Sequence, residues 1–229
     1  SWDAKGGAAR ANILRAMGQA LENNMEMFTA LLAKEAGKTF ADSIAEVREA
    51  VDFCRFYAAE AQRQFAGLET LPGPAGETNQ LGLAGRGVFL CISPWNYPLA
   101  IFTGQIAAAL AAGNAVLAKP AEQTPIIATR AVQMMHDAGV PRASLQLLPG
   151  SGAVGAALTS DARINGVAFT GSTATALKIR EAMAQNCTPG TPLIAETGGL
   201  NAMIVDSTAL PEHAVRDIVN GAFRAIPTR

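Results

Sequence analysis

Few residues in this chain stand where their side chains could do chemistry. In PLIAETGGLNAMIVD, residues 192 to 206, one carboxylate sits between two apolar runs: Glu196, followed by Thr197 and the pair Gly198–Gly199. A strand-like run rarely carries a charge at such a point, so Glu196 is either a reactive acid or a cap on a sheet edge. In CISPWNYPLA, residues 91 to 100, two prolines bracket Trp95, Asn96 and Tyr97 directly after an apolar run. Proline restricts its own backbone and that of its predecessor, so the Asn96 amide is aimed rigidly and suits an oxyanion donor. In AKPAEQTP, Lys119 and Glu122 close another apolar run. At a strand end they could grip ribose hydroxyls; the alternative is a solvated surface pair.

Two segments could approach phosphate. LLPGSGAVGAAL places Gly150, Gly152 and Gly155 at G-x-G-x-x-G spacing between a strand and a helix. Backbone N–H groups and a helix N-terminus there suit a pyrophosphate, although a plain tight turn has the same spacing. The acid that the common fingerprint carries about 20 residues further on has no counterpart here. FTGST, residues 169 to 173, is a hydroxyl-rich turn in which Ser172 or Thr173 either meets an anion or simply caps a helix.

The elements that must position these residues follow from periodicity. Leu14, Met17, Leu21, Met25, Phe28 and Leu32 form one helical stripe. Ile44, Val47, Val51, Cys54, Ala61 and Phe65 form a second, with Ser43 and Glu46 at capping-box spacing. Residues 67–80 read as a Gly/Pro-rich connector, and 81–92 as a hairpin turning at Gly85–Gly87. Beyond it, VFLCI, AVLAKP, SLQLL, GVAFT and PLIAE alternate with helical segments, one of them with Thr124 as N-cap and Pro125 in its first turn. Apolar strands alternating with helices imply a doubly wound parallel sheet of Rossmann type, preceded by two long helices. The expected division is 1–80 for the helices and linker, and 81–229 for the sheet domain.

Composition narrows the function classes. Hydrophobic residues make up 49% and charged residues 16% of the 229, which suits a globular chain with a sizeable core. A net charge of −1 gives no general pull toward nucleic acid or an anionic membrane. No apolar run is long enough to span a bilayer, and the start has no signal pattern. Three cysteines without a C-x-x-C pair argue for reduced thiols in the cytoplasm, and against a disulfide framework or a metal site. Cys54 and Cys91 fall on core positions and Cys187 in a loop, while His136 and His213 are expected on helix surfaces.

PWNYP, KPAEQTP, FTGST and ETGG, in this order, together resemble the aldehyde dehydrogenase superfamily. The resemblance extends to about Phe223. AGKTFADSIAEVREAVDFCRFYAAEA, the segment from CISPWNYP to KPAEQTP, and PLIAETGG with NAMIVDS look closer still to one branch, the L-glutamate γ-semialdehyde (pyrroline-5-carboxylate) dehydrogenase module of bifunctional proline-utilisation proteins. The resemblance implies NAD as cofactor and a small aldehyde as substrate, with hydride transfer from a cysteine hemithioacetal and then thioester hydrolysis. It implies that Glu196 is the base that activates water and that Asn96 stabilises the oxyanion. Lys119 and Glu122 match the residues on the adenosine ribose. Ser172 matches the pyrophosphate contact, with Gly152 and Gly155 beside it and Phe169 and Gly171 in the same motif. Ile92, Ser93 and Trp95 match the nicotinamide-side wall, and Thr197 follows the base beside the ring.

The chain departs from the family at several places. The glycine loop reads one residue short, Ala174 replaces an acid, and Leu200 stands where the branch usually has Gln. LPEHAVRDIVNGAF should lead to a G-Q-x-C segment carrying the nucleophile, but the chain reads RAIPTR, with Pro227 against any helical continuation. The expectation is therefore an NAD-binding portion without its catalytic cysteine, inactive by itself and prone to self-association. A non-catalytic nucleotide- or partner-binding fragment, or another aldehyde dehydrogenase branch, are the alternatives.

Overall fold

The computed structural model describes residues 1–223, so RAIPTR and Pro227 lie outside the described residues. Three helices lead: α1 (Gly6–Asn23), α2 (Met25–Glu35) and α3 (Phe40–Gln64). The first predicted stripe is thus one apolar face shared by two helices that break at Asn24, with Leu14, Met17, Leu21, Phe28 and Leu32 all buried. In α3, Val47, Val51, Cys54 and Ala61 are buried as expected, whereas Ile44 is 39% exposed. The predicted capping box at Ser43 and Glu46 does not form, and the helix is capped a turn earlier. Thr39 is the N-cap, its hydroxyl accepting from Asp42 N at 3.1 Å.

The connector is more structured than its composition implied. β1 (Glu69–Leu71) and β2 (Asn79–Leu81) pair antiparallel within it. The hairpin expected around Gly85–Gly87 does not form, because β3 (Val88–Ile92) joins a different sheet in parallel. The glycine stretch is pinned instead by long-range bonds: Asn114 Oδ1 accepts from Arg86 N and Gly87 N, and Asn165 Oδ1 from Val88 N.

The rest is the doubly wound pattern. β3 leads to α4 (Ala100–Ala111) and β4 (Ala115–Lys119), then α5 (Pro125–Asp137) and β5 (Leu145–Leu147). α6 (Gly152–Thr159), β6 (Gly166–Gly171), α7 (Thr173–Asn186), β7 (Leu193–Thr197) and α8 (Pro211–Phe223) follow. The five strands run parallel in the order β5-β4-β3-β6-β7. The strand order reverses between β3 and β6, the switch point where such sheets open a ligand crevice.

Alternation along the strands sends Phe89, Cys91, Val116, Ala118 and Ala168 into one core, shared with α1 to α5. Leu90, Val167 and Phe169 enter a smaller core on the other face, with Ala176, Ile179 and Met183 of α7. The larger core joins the leading helices to the sheet without a break. The C-terminal end of α4 is tied to the chain start, where Trp2 Nε1 donates to Leu110 O at 2.8 Å and Arg10 Nε to Ala111 O at 3.1 Å. The run 202–205 has no regular structure, and Ile204 is 91% exposed.

Candidate functional site

The C-terminal edge of the sheet gathers most of the residues singled out above. Ile92 ends β3, Lys119 ends β4, Phe169 and Gly171 end β6, and Glu196 and Thr197 end β7. In register, Ile92 lies beside both Lys119 and Phe169, Thr170 beside Glu196, and Gly171 beside Thr197.

Strand alternation then divides them between faces. Ile92, Lys119, Phe169 and Thr197 belong to the α6–α7 side. Gly155 in α6 meets the Lys119 stem, and an added Cβ would lie 3.5 Å from Cδ, an ordinary contact. Gly171 is confined more tightly, since a Cβ there would come within 2.6 Å of the Phe169 ring. Glu196 faces the other way, with Ile194, into a cavity of about 600 Å³ that Gln105 and Thr170 also line. The division is geometric: the α6–α7 side is separated from the Glu196 carboxylate by the thickness of the sheet. 

Between the faces stands the Pro94–Pro98 loop. Ser93 and Asn96 are buried, and neither Ser93 Oγ nor Asn96 Oδ1 makes a hydrogen bond among the described residues. Buried polar atoms are usually paired, so two orphans at a switch point are suited to meet a ligand. Trp95 is half-buried beside them. Lys119 is 6% exposed, its Nζ donating to Pro120 O at 3.1 Å. Burial lowers its ammonium below the usual lysine range, and Glu122, itself exposed, opposes that shift.

The helix ends at this edge are not equivalent. A helix N-terminus attracts anions through its free N–H groups. At α4 those groups are taken by Glu46, which accepts from Leu99 N at 2.8 Å and Ala100 N at 3.1 Å. At α5 they are taken by Glu35, which accepts from Ile126 N and Ile127 N, each at 2.8 Å. The hydroxyl of Thr124, expected to cap α5, makes no such bond. α6 and α7 carry only the hydroxyl caps Ser151 and Ser172 and no carboxylate. Ser172 therefore is an N-cap, accepting from Thr175 N at 3.2 Å, and its helix end still faces outward for an anion. Gly152 opens α6 with free space around its Cα.

Sequence reasoning missed three participants. Gln105 Nε2 donates to Ile92 O at 3.2 Å and to Thr170 Oγ1 at 3.1 Å, bridging two strand ends beside Glu196. Its signal was available, as a lone amide in the apolar run LAIFTGQIAAALAAG. Glu46 and Lys38 had no local signal, because their partners lie about 50 residues away in sequence or across a loop.

The cysteines stay outside the site. Burial pushes the thiols of Cys54 and Cys91 up to about 12. Cys187 follows α7 at the opposite edge of the sheet, its thiol raised by burial and by Asp161. His213 is exposed, whereas His136 is half-buried, with Nδ1 2.9 Å from Val140 O, rather than a free surface residue. Among the described residues, no cluster of three His, Cys, Asp or Glu could hold a metal, and no helix is long and apolar enough to cross a membrane.

Comparison with known proteins is consistent with this arrangement. The bifunctional protein PutA of Klebsiella aerogenes is 52% identical over 226 residues, covering 97% of this chain and 16% of that protein. A solved proline utilization A from Bradyrhizobium japonicum superposes with a TM-score of 0.95 at 53% identity, over 97% of this chain and 23% of the other. A 1-pyrroline-5-carboxylate dehydrogenase from Thermus, solved with bound NAD, gives 0.91 at 36% identity, over 97% and 44%. The chain thus spans less than half the length of each of these relatives. Residues 1–226 match the profile described as Aldehyde dehydrogenase family, and the chain belongs to that family.

Proposed function

We propose that this chain is the cofactor-holding portion of an NAD-dependent dehydrogenase that oxidises L-glutamate γ-semialdehyde to L-glutamate in proline catabolism. The observation that carries this reading is the pair of orphaned buried atoms, Ser93 Oγ and Asn96 Oδ1, at the switch point of the sheet. The residues present fit a dinucleotide. Lys119 and Glu122 would hold the adenosine ribose, and Ser172 with the N-terminal turns of α6 and α7, including Gly152 and Gly155, the pyrophosphate. Ile92, Ser93, Trp95, Phe169, Gly171 and Thr197 would enclose the rest. When bound, NAD accepts a hydride from the substrate carbon.

The chain's own residues divide the remaining work. Asn96 donates its amide N–H to the oxygen that becomes negatively charged, held there by the two flanking prolines. Glu196, on the opposite face of β7 from Thr197, takes a proton from the water that releases the acid. The relatives support the substrate class, as a proline utilization A and a 1-pyrroline-5-carboxylate dehydrogenase. The division at residue 80, a cytoplasmic location and self-association belong to the same proposal. A second reading is nucleotide binding without turnover, favoured by the N-termini of α6 and α7, which can take an anion whether or not Glu196 acts.

Calorimetric titration separates these from an inert chain. NAD is expected to bind saturably, and Lys119→Met to weaken it about tenfold, the usual loss for one charge-assisted hydrogen bond. Absence of saturable heat with NAD and with AMP would refute the cofactor assignment.

A further inference from the structure

One charged cluster touches neither the proposed cofactor contacts nor Glu196. Glu46 is 1% exposed in the second turn of α3, and Lys38, in the loop before that helix, forms an ion pair with it. The Lys38 Nζ also stands 3.7 Å from the centroid of the Tyr97 ring. Glu46 in turn holds Leu99 N and Ala100 N, the first backbone groups of α4. The cluster therefore grips the loop 93–98 at Tyr97 and, just past its end, at Leu99–Ala100.

A buried ion pair is a poor way to gain stability. Desolvation of two charges roughly offsets their attraction, and an apolar replacement of similar volume often does as well. Such pairs are better suited to fixing one geometry. The loop needs this, because the Asn96 carbonyl makes no hydrogen bond of its own among the described residues. Its orientation must come from the backbone that carries it. Pro94 and Pro98 limit that backbone to few conformers, and two anchors on the downstream side select one.

We infer that Lys38, Glu46 and Tyr97 are positioning residues for the nicotinamide end of the site, fixing the loop that presents Trp95 and Asn96 through a cation–π contact and a carboxylate clamp on α4. The inference rests on the cofactor assignment above. It predicts that loosening the clamp lowers affinity for the nicotinamide half of the dinucleotide and spares the adenosine half.

The test uses this chain with Trp2→Phe, which leaves Trp95 as the sole tryptophan. Tyr97→Leu removes the ring face, Tyr97→Phe retains it, and the double change Lys38→Met with Glu46→Gln removes both charges without stranding either. Acrylamide quenching of Trp95 and titration with NAD and with ADP-ribose are read for each. For Tyr97→Leu and the double variant, quenching should rise about twofold and NAD affinity fall about tenfold, with ADP-ribose affinity unchanged, because the loss is one of preorganisation. Tyr97→Phe should match the parent. Equal loss for both ligands, or unchanged quenching in both loosened variants, would overturn the inference. If the double variant does not fold, Tyr97→Leu against Tyr97→Phe decides it. If the parent binds neither ligand, the cofactor assignment fails, and Trp95 quenching in the free chain still decides whether the clamp orders the loop.

Discussion

Lys119 shows how a binding residue opposes stability. Its ammonium is held in a nearly dry position at the end of β4, and burial lowers its pKa from the ordinary lysine value. A base that is harder to protonate when folded penalises the folded state wherever it is still charged. That penalty is present below the folded pKa and fades as pH rises from there toward the unfolded value of about 10.4. Lys119→Met should therefore be at least as stable as the parent at pH 7, and its advantage should shrink as pH rises toward the ordinary lysine value. Urea midpoints of the two chains across that range check the sign. A parent that is the more stable at neutral pH would mean that Glu122 outweighs burial. The same residue was legible in sequence from its place after an apolar run, whereas its burial was not, because that depends on the packing of α6 against its stem.

At the scale of elements, the leading helices act as caps for helices of the sheet domain. Glu35, the last residue of α2, satisfies two N–H groups of α5, and Glu46 of α3 does the same for α4. Glu35→Ala should destabilise the chain by about 1–2 kcal/mol, the range for loss of a helix N-cap. Glu35→Gln should recover part of that, since one acceptor oxygen remains. Denaturant unfolding measures both, and an unchanged midpoint for Glu35→Ala would show that water replaces the carboxylate freely. These caps also explain why the open helix ends are those of α6 and α7. Capping rules read from sequence look three residues ahead and so assigned Glu46 to its own helix. Its actual partners, Leu99 and Ala100, were beyond any local rule.

For the whole molecule, the apolar surface is unevenly placed. Leu200, Met203, Ile204 and Val205 are exposed after β7, and Val215, Ile218 and Val219 form an exposed stripe at helical spacing on α8. Apolar patches of roughly 300–600 Å² or more mark interfaces or association hazards. The chain should associate in a concentration-dependent way and bind a hydrophobic dye. Ile204→Asp with Ile218→Asp should reduce both, as read by sedimentation velocity and dye fluorescence. A parent that stays monomeric at high concentration without binding dye would contradict this.

Sequence alone determined the parallel strands, the positions of Asn96, Lys119 and Glu196 at their ends, and the core roles of Cys54 and Cys91. Each follows from local pattern: apolar runs of strand length, proline on either side of Asn96, and periodicity on α3. Tertiary structure decided what no local pattern carries. It placed Glu196 and Thr197 on opposite faces of one strand end, turned the expected hairpin at Gly85–Gly87 into a long-range splice, and sent Glu46 across the core to α4. The physical reason is the same in each case. Periodicity records which side chains leave water, but a buried polar group is satisfied by whichever partner the fold brings within about 3 Å, and that partner can be any distance away along the chain.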